Sequence, residues 1–189
     1  MASSLIFNEQ QRSWVGEVLE TAEALVGDSF RINLRDLERF PYDLRTLADL
    51  LRQEKTRRAL AQVCKYEYRK KAEPRDPRRK EFYRICLQDD KILNTVQNEL
   101  PSILKPLLFY VVTHELIHVI RFSLEPRRFY LDPQEKGTEE RYVHRMTYEI
   151  LKSFGEPSIG PLLERYRPWW GADGSDSRVP GLDKFGEGV

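Results

Sequence analysis

Between Asn8 and Val26 the apolar residues Trp14, Val18, Leu19, Ala22, Leu25 and Val26 recur every three or four positions, which predicts an amphipathic helix that Gly27 can stop. After the break at Phe40-Pro41, Leu44, Leu47, Leu50, Leu51 and Leu60 stand among charged residues, and the same spacing predicts a second packing helix over 43–60. From Val63 to Leu87 the period shortens to two. Cys64, Tyr66 and Tyr68 alternate with Val63, Lys65, Glu67 and Arg69. Tyr83, Ile85 and Leu87 then alternate with Phe82, Arg84 and Cys86, which predicts a β-hairpin joined by residues 71–79. Asp89-Asp90 can cap a short helix from Lys91 to Glu99, and Pro101 separates it from the next element.

The most apolar stretch, Ile103 to Thr113, predicts a buried helix, and Lys105, His114 and Glu115 interrupt it too often for a membrane span. A further helix is expected around Thr138 to Leu151, with Val143, Met146, Ile150 and Leu151 on its buried face and Gly155 at its end. Asp132-Pro133-Gln134-Glu135 offers an earlier start as a capping box with proline in the first turn, whereas Gly137 argues for a later start or a kink. Pro161 to Tyr166 is another short helical candidate, and Trp169-Trp170 are expected to dock on the core. From Gly171 onward Gly, Ser, Asp and Pro dominate, so the reading is a single domain over 1–170 with a flexible tail over 171–189. A length of 189 residues is enough for one core that needs no disulfide.

The chain has three histidines, and two of them fall in His114-Glu115-Leu116-Ile117-His118. Helix positions four apart share a face, so both imidazoles can reach one cation while Glu115 stands beside it. Zinc takes neutral imidazole nitrogens in a tetrahedral shell and lowers the pKa of a bound water towards neutrality, and an adjacent carboxylate can then accept the proton. The alternative is a pair of core histidines that only hydrogen-bond. Unpaired imidazoles and a carboxylate on a buried helix cost several kcal/mol, however, on the order of what one cation could offset.

A catalytic zinc calls for a third protein ligand from another segment. Glu140 and His144 are four apart on the predicted second helix, and Glu140 is the leading candidate. Glu139 points roughly 100° away around that helix and is expected to be solvated.

With Glu140 placed 22 residues after His118, this pattern resembles the gluzincin branch of the zincin metallopeptidases, in which a separate glutamate helix supplies the third zinc ligand. The run Glu140 to Thr147 is also similar to the glutamate helix of small intracellular gluzincin-like proteases that act on repressor proteins. The resemblance covers the 45 residues from Leu107 to Leu151. It implies a zincin-like fold, one zinc per chain on His114, His118 and Glu140, Glu115 as general base, and a peptide or protein substrate. Gluzincins often carry an aspartate four positions after the glutamate ligand to orient a zinc-bound histidine. Here that position is His144, which leaves three roles open: orienting a ligand, coordinating zinc itself, or replacing Glu140. The resemblance also gives the hairpin a possible role, since an edge strand beside the metal helix commonly holds extended substrate in such folds. A hairpin that only covers the core is the alternative.

Thirty-one Lys and Arg against 30 Asp and Glu give a formal charge of +1, so bulk charge selects no partner. Locally, Lys65, Arg69, Lys70, Lys71, Arg75, Arg78, Arg79, Lys80 and Arg84 are interleaved with aromatic residues, a composition that can track a phosphate backbone. Glu67, Glu73, Asp76 and Glu81 dilute that field, and Pro74 and Pro77 favour a solvated loop, so nucleic acid is the less favoured partner. The first residues have neither a basic n-region nor a long apolar core, and a cytoplasmic location without membrane attachment is expected. Cys64 and Cys86 make no disulfide framework and no metal spacing, which fits structural thiols.

The sequence therefore predicts a mainly helical α+β domain, zincin-like, with a small antiparallel hairpin or sheet beside the metal-binding helix, acting as a zinc-dependent metallopeptidase-like hydrolase. The competing class is a non-catalytic zincin-fold interaction or regulatory module that touches nucleic acid through the 65–84 hairpin. Tyr130, Tyr142, Tyr148 and His144 are all candidates for the oxyanion donor, and neither substrate identity nor oligomeric state is legible.

Overall fold

A computed structural model of the chain describes residues 5–33, 40–68, 80–97 and 103–167. At its centre is the helix that carries the histidine motif, Leu104–Leu124, in which 16 of 21 residues are buried. A helix buried nearly all round must be covered by other elements. Here α1 (Glu9–Phe30), α2 (Asp89–Gln97) and α4 (Pro133–Phe154) pack against this central helix, α3, together with a small sheet. The last helix among the described residues, α5 (Gly160–Tyr166), packs on α4. By length and composition α3 could cross a membrane, but 78% of its apolar window is buried inside the protein, so core packing accounts for its hydrophobicity.

The sheet consists of β1 (Tyr42–Arg45), β2 (Ala61–Tyr68) and β3 (Lys80–Leu87) in the order β1-β3-β2. The expected hairpin forms, with β2 antiparallel to β3 in a register that sets Val63 opposite Ile85. One face buries Val63, Tyr83, Ile85 and Leu87 in the main core. The other face carries Cys86 and Cys64, covered by Leu47 and Leu50. Cys64 faces Arg84 and Cys86 faces Gln62 across the ladder, so the two free thiols are diagonal neighbours with Sγ atoms 3.8 Å apart. The architecture is thus α+β and mostly helical, with a three-stranded mixed sheet.

The stretch 43–60 is not a helix. It forms β1, which pairs in parallel with β3, followed by two short 3-10 turns at Leu47–Asp49 and Arg52–Glu54. Polar contacts over long sequence distances override the helical leucine spacing. Asp43 receives a two-pronged bond from Arg84, at 2.7 and 2.9 Å. Glu54 is buried and accepts from the Leu51 amide, from the Tyr66 hydroxyl and from Arg84. Asp89 accepts from the Phe7 and Leu47 amides, each at 2.9 Å, so it staples two distant segments to the start of α2 where a local cap for Lys91 was expected.

Helix α1 also runs past Gly27, ending at Phe30 with Arg31 in the left-handed region at φ 55°. Phe30 and Ile32 pack on the core, which is reason enough to carry the chain beyond the glycine. Helix α4 takes the earlier of its two possible starts. Asp132 accepts from the Gln134 and Glu135 amides at 2.9 Å, Pro133 opens the first turn, and Gly155 closes the helix at φ 70°. Gly137 neither delays nor ends it. The basic run 69–79, Glu99, Trp169-Trp170 and the tail 171–189 lie outside the described residues.

Candidate metal centre

Helices α3 and α4 bring His114, His118 and Glu140 together. The two histidine Nε2 atoms are 3.2 Å apart, Glu140 Oε1 lies 3.2 Å from His118 Nε2, and Glu140 Oε2 lies 3.3 Å from His114 Nε2. The two imidazole nitrogens thus face one carboxylate, each close to a different oxygen, and one donor atom from each of the three residues lies within 4.8 Å of the others. Ligands placed tetrahedrally at about 2.05 Å from a zinc ion are separated by about 3.3 Å, the scale of these contacts. Among the described residues no other group of three or more His, Cys, Asp or Glu converges in this way. Glu140 Oε2 and His118 Nδ1 are buried without a hydrogen bond among those residues, a cost that a cation on the cluster would reduce for the carboxylate.

The electrostatics of the cluster follow from its burial. Burial disfavours the charged form of both histidines. At His114 this prevails and lowers its pKa, whereas at His118 the carboxylates of Glu140, Glu115 and Glu139 outweigh it and raise the pKa. Glu140 is held well below the usual carboxylate range because the two imidazoles overcome its own desolvation. Glu115, 3% exposed, is pushed up to about 8, mainly by burial, with Glu140 adding to the rise and His118 opposing it. A carboxyl poised near neutrality is matched to proton transfer.

His144 is not part of this group. Its Nδ1 is 2.8 Å from the hydroxyl of Tyr110, and its ring lies 4.4 Å from that of His114. Burial and the neighbouring His114 keep its pKa well below the ordinary value, so the ring is neutral. Of its three open roles, this geometry matches the one beside the ligands.

Glu139 corrects the expectation of a solvated side chain. It is 6% exposed, accepts from Arg121 at both oxygens and from Arg128 at 2.8 Å, and the Arg121 guanidinium lies 3.9 Å from the centre of the Tyr142 ring. The 100° turn from Glu140 leads to the facing helix, not to water. Sequence reasoning passed over Arg121, Arg128 and Tyr110. A signal existed for two of them, since Tyr110 is four residues before His114 and Arg121 three after His118, both on the motif's helix face.

The cluster opens into a cleft with His114, Glu115, His118 and Glu140 along it. Gln62 and Val63, on the β2 edge that has no strand partner among the described residues, form one side, Phe122 and Phe129 an aromatic wall, and Arg128, Lys136 and Glu139 the remainder. Phe122 stacks on His118 with ring centres 5.2 Å apart, and Phe129 meets Phe122 edge-on at 5.4 Å. The turn bearing Phe129, Pro126–Tyr130, is held to the sheet by Lys65, whose ammonium pairs with Glu81 at 2.8 Å and sits 5.0 Å from the Tyr130 ring centre. None of the four candidate oxyanion donors is in the cleft lining; Tyr148 instead donates to Glu164 at 3.2 Å.

The chain matches no family model, no curated protein and no solved structure.

Proposed function

We propose that this protein is a zinc-dependent, peptidase-like hydrolase that holds one zinc through His114, His118 and Glu140 and uses Glu115 as general base. The observation that carries the reading is the convergence of two imidazole nitrogens and a carboxylate, with contacts of 3.2–3.3 Å, beside a buried glutamate in an open cleft. The donor set, two neutral nitrogens and one oxygen, suits zinc in a site that keeps a position for water. When bound, the metal would acidify a water and polarise the scissile carbonyl.

The chain's own residues supply the rest. Glu115 accepts the proton of the attacking water and returns it to the leaving amine. The edge of β2 at Gln62 and Val63, which has no strand partner among the described residues, offers backbone donors and acceptors to an extended peptide, and Phe122 and Phe129 exclude water from one side. A non-catalytic module with a closed structural zinc would favour four protein ligands, and the group that converges here, His114, His118 and Glu140, does not include His144.

Elemental analysis of the purified protein, paired with an unbiased peptide-library digest of wild type and Glu115→Gln, tests the proposal. We expect about one zinc per chain in both proteins and a loss of hydrolysis on the order of a hundred- to ten-thousand-fold in the variant. A variant that digests the library as fast as wild type removes Glu115 from the mechanism, and a zinc-free wild type removes the metal.

A further inference from the structure

Tyr110 lies one helical turn before His114 and is completely buried. Its ring stacks on Tyr166 of α5 with centres 4.4 Å apart and an interplanar angle of 19°, and its hydroxyl is 2.8 Å from His144 Nδ1. A buried hydroxyl must place its single proton on an acceptor, and His144 Nδ1 is the only hydrogen-bond partner of Tyr110 Oη among the described residues. The phenol is therefore the donor. That fixes Nδ1 as the unprotonated nitrogen and leaves the ring proton on Nε2.

The His144 ring, pinned in this way, lies against the His114 ring at 4.4 Å and 45°, while Tyr110 itself stacks on His114 at 6.3 Å and 19°. His114 is therefore bounded by two rings that a single hydrogen bond joins. We infer that Tyr110 is a positioning residue of the metal centre: by donating to His144 Nδ1 it sets the tautomer and tilt of that ring, and through it the orientation of the ligand His114. This rests on the reading of His114, His118 and Glu140 as metal ligands. It adds to that reading a device running from α5 through Tyr166 and Tyr110 into the site. Residues behind the ligands tune metal sites by orienting the ligands themselves, and here the last step of that contact is the packing of the His144 ring on His114.

The test uses cobalt(II) as a spectroscopic probe, titrated into the full chain as wild type, Tyr110→Phe, His144→Ala and the double variant. Wild type should bind one equivalent with visible d–d bands. Tyr110→Phe, which removes one oxygen from an otherwise unchanged ring, should shift those bands and weaken binding on the order of tenfold. In the His144→Ala background the same substitution should change neither, because its effect passes through the imidazole. Bands and affinity identical to wild type in Tyr110→Phe would overturn the inference while leaving the metal reading intact. An equal loss in both backgrounds would also overturn it, since Tyr110 would then act by packing alone. A wild type that takes up no cobalt defeats the metal reading and this inference with it.

A second measurement needs no variant. Nitrogen NMR of the imidazoles, with three histidines to assign, should show His144 Nδ1 unprotonated and Nε2 protonated. The reverse tautomer overturns the inference.

Discussion

Arg121 donates to both carboxylate oxygens of Glu139, and this fork ties the helix that carries the two histidines to the helix that carries Glu140. Arg121 is three residues from His118 and Glu139 is adjacent to Glu140, so the clamp acts within one turn of three donor atoms that must converge. Both side chains are almost fully buried, at 13% and 5% exposure, and Tyr142 covers the guanidinium. Planar two-pronged pairing of this kind belongs to arginine and is not reproduced by lysine.

Arg121→Lys should therefore be a damaging substitution despite keeping the charge. It removes the fork and the stack on Tyr142 and leaves at most a single-point contact to Glu139 beside that of Arg128, for an expected loss of about 2–3 kcal/mol in denaturant unfolding. Zinc affinity should fall in parallel because Glu140 loses its registration with the histidines. Arg127, whose side chain is 76% exposed, provides the control, and Arg127→Ala should change neither property. Equal stability and affinity in wild type and Arg121→Lys would show that the clamp does not hold the two helices.

Glu54 should make the fold acid-labile. Burial pushes its pKa up, but donors from Tyr66, Leu51 and Arg84 overcome this and bring it below its ordinary value of 4.5. A carboxylate whose pKa is lower in the folded chain contributes stability that is complete above its unfolded value and is lost as pH falls through the folded one. Urea unfolding measured from pH 6 downward, on the order of three units, should therefore show a decline that begins near pH 4.5 and is shallower in Glu54→Gln. Parallel pH profiles for the two proteins would remove Glu54 as the source.

What was legible in the sequence is what local chemistry decides. The ends of α4 follow from Asp132, Pro133, Glu135 and Gly155, and the hairpin follows from a period of two. The pairing of His114 with His118 follows from helix geometry alone. The stretch 43–60 failed because its decisive contacts are distant: Asp43 reaches Arg84 across 41 residues and Leu47 reaches Asp89 across 42. Leucines at helical spacing serve equally well as the cover of a sheet face, as Leu47 and Leu50 do over Cys86. Glu139 failed for a related reason. Its angle on α4 is fixed by the helical repeat, but whether that angle meets water or Arg121 depends on how α4 is rotated against α3, which no local pattern records.

Zinc should stabilise the fold, since a ligand that binds only the native state shifts unfolding by mass action. At free zinc about a hundred times above the dissociation constant the gain is about 2.7 kcal/mol, readable as a rise in melting temperature that a chelator reverses. Glu115→Gln should keep the shift and Glu140→Ala should lose it. A zinc-dependent rise of the same size in Glu140→Ala would place the bound metal elsewhere on the chain.

The assignment of the third ligand is open to a direct comparison of two positions on one face of α4. Both Glu140 oxygens approach histidine nitrogens of the cluster, at 3.2 and 3.3 Å, whereas His144 has its Nδ1 engaged by Tyr110. Removing one of three ligands costs most of the binding free energy because the remaining two hold zinc only weakly, so Glu140→Ala should abolish tight binding. Removing a residue that orients a ligand costs less, and His144→Ala should weaken binding about ten- to a hundredfold. Zinc dissociation constants from competition with a chromogenic chelator read the order directly. The reverse order would transfer the third ligand to His144 and make the site a three-histidine one, with Glu140 left to orient it. Normal affinity in both variants would take α4 out of the site altogether, and the 3.2–3.3 Å contacts of Glu140 with the two histidines would then be an ion-pair contact between helices.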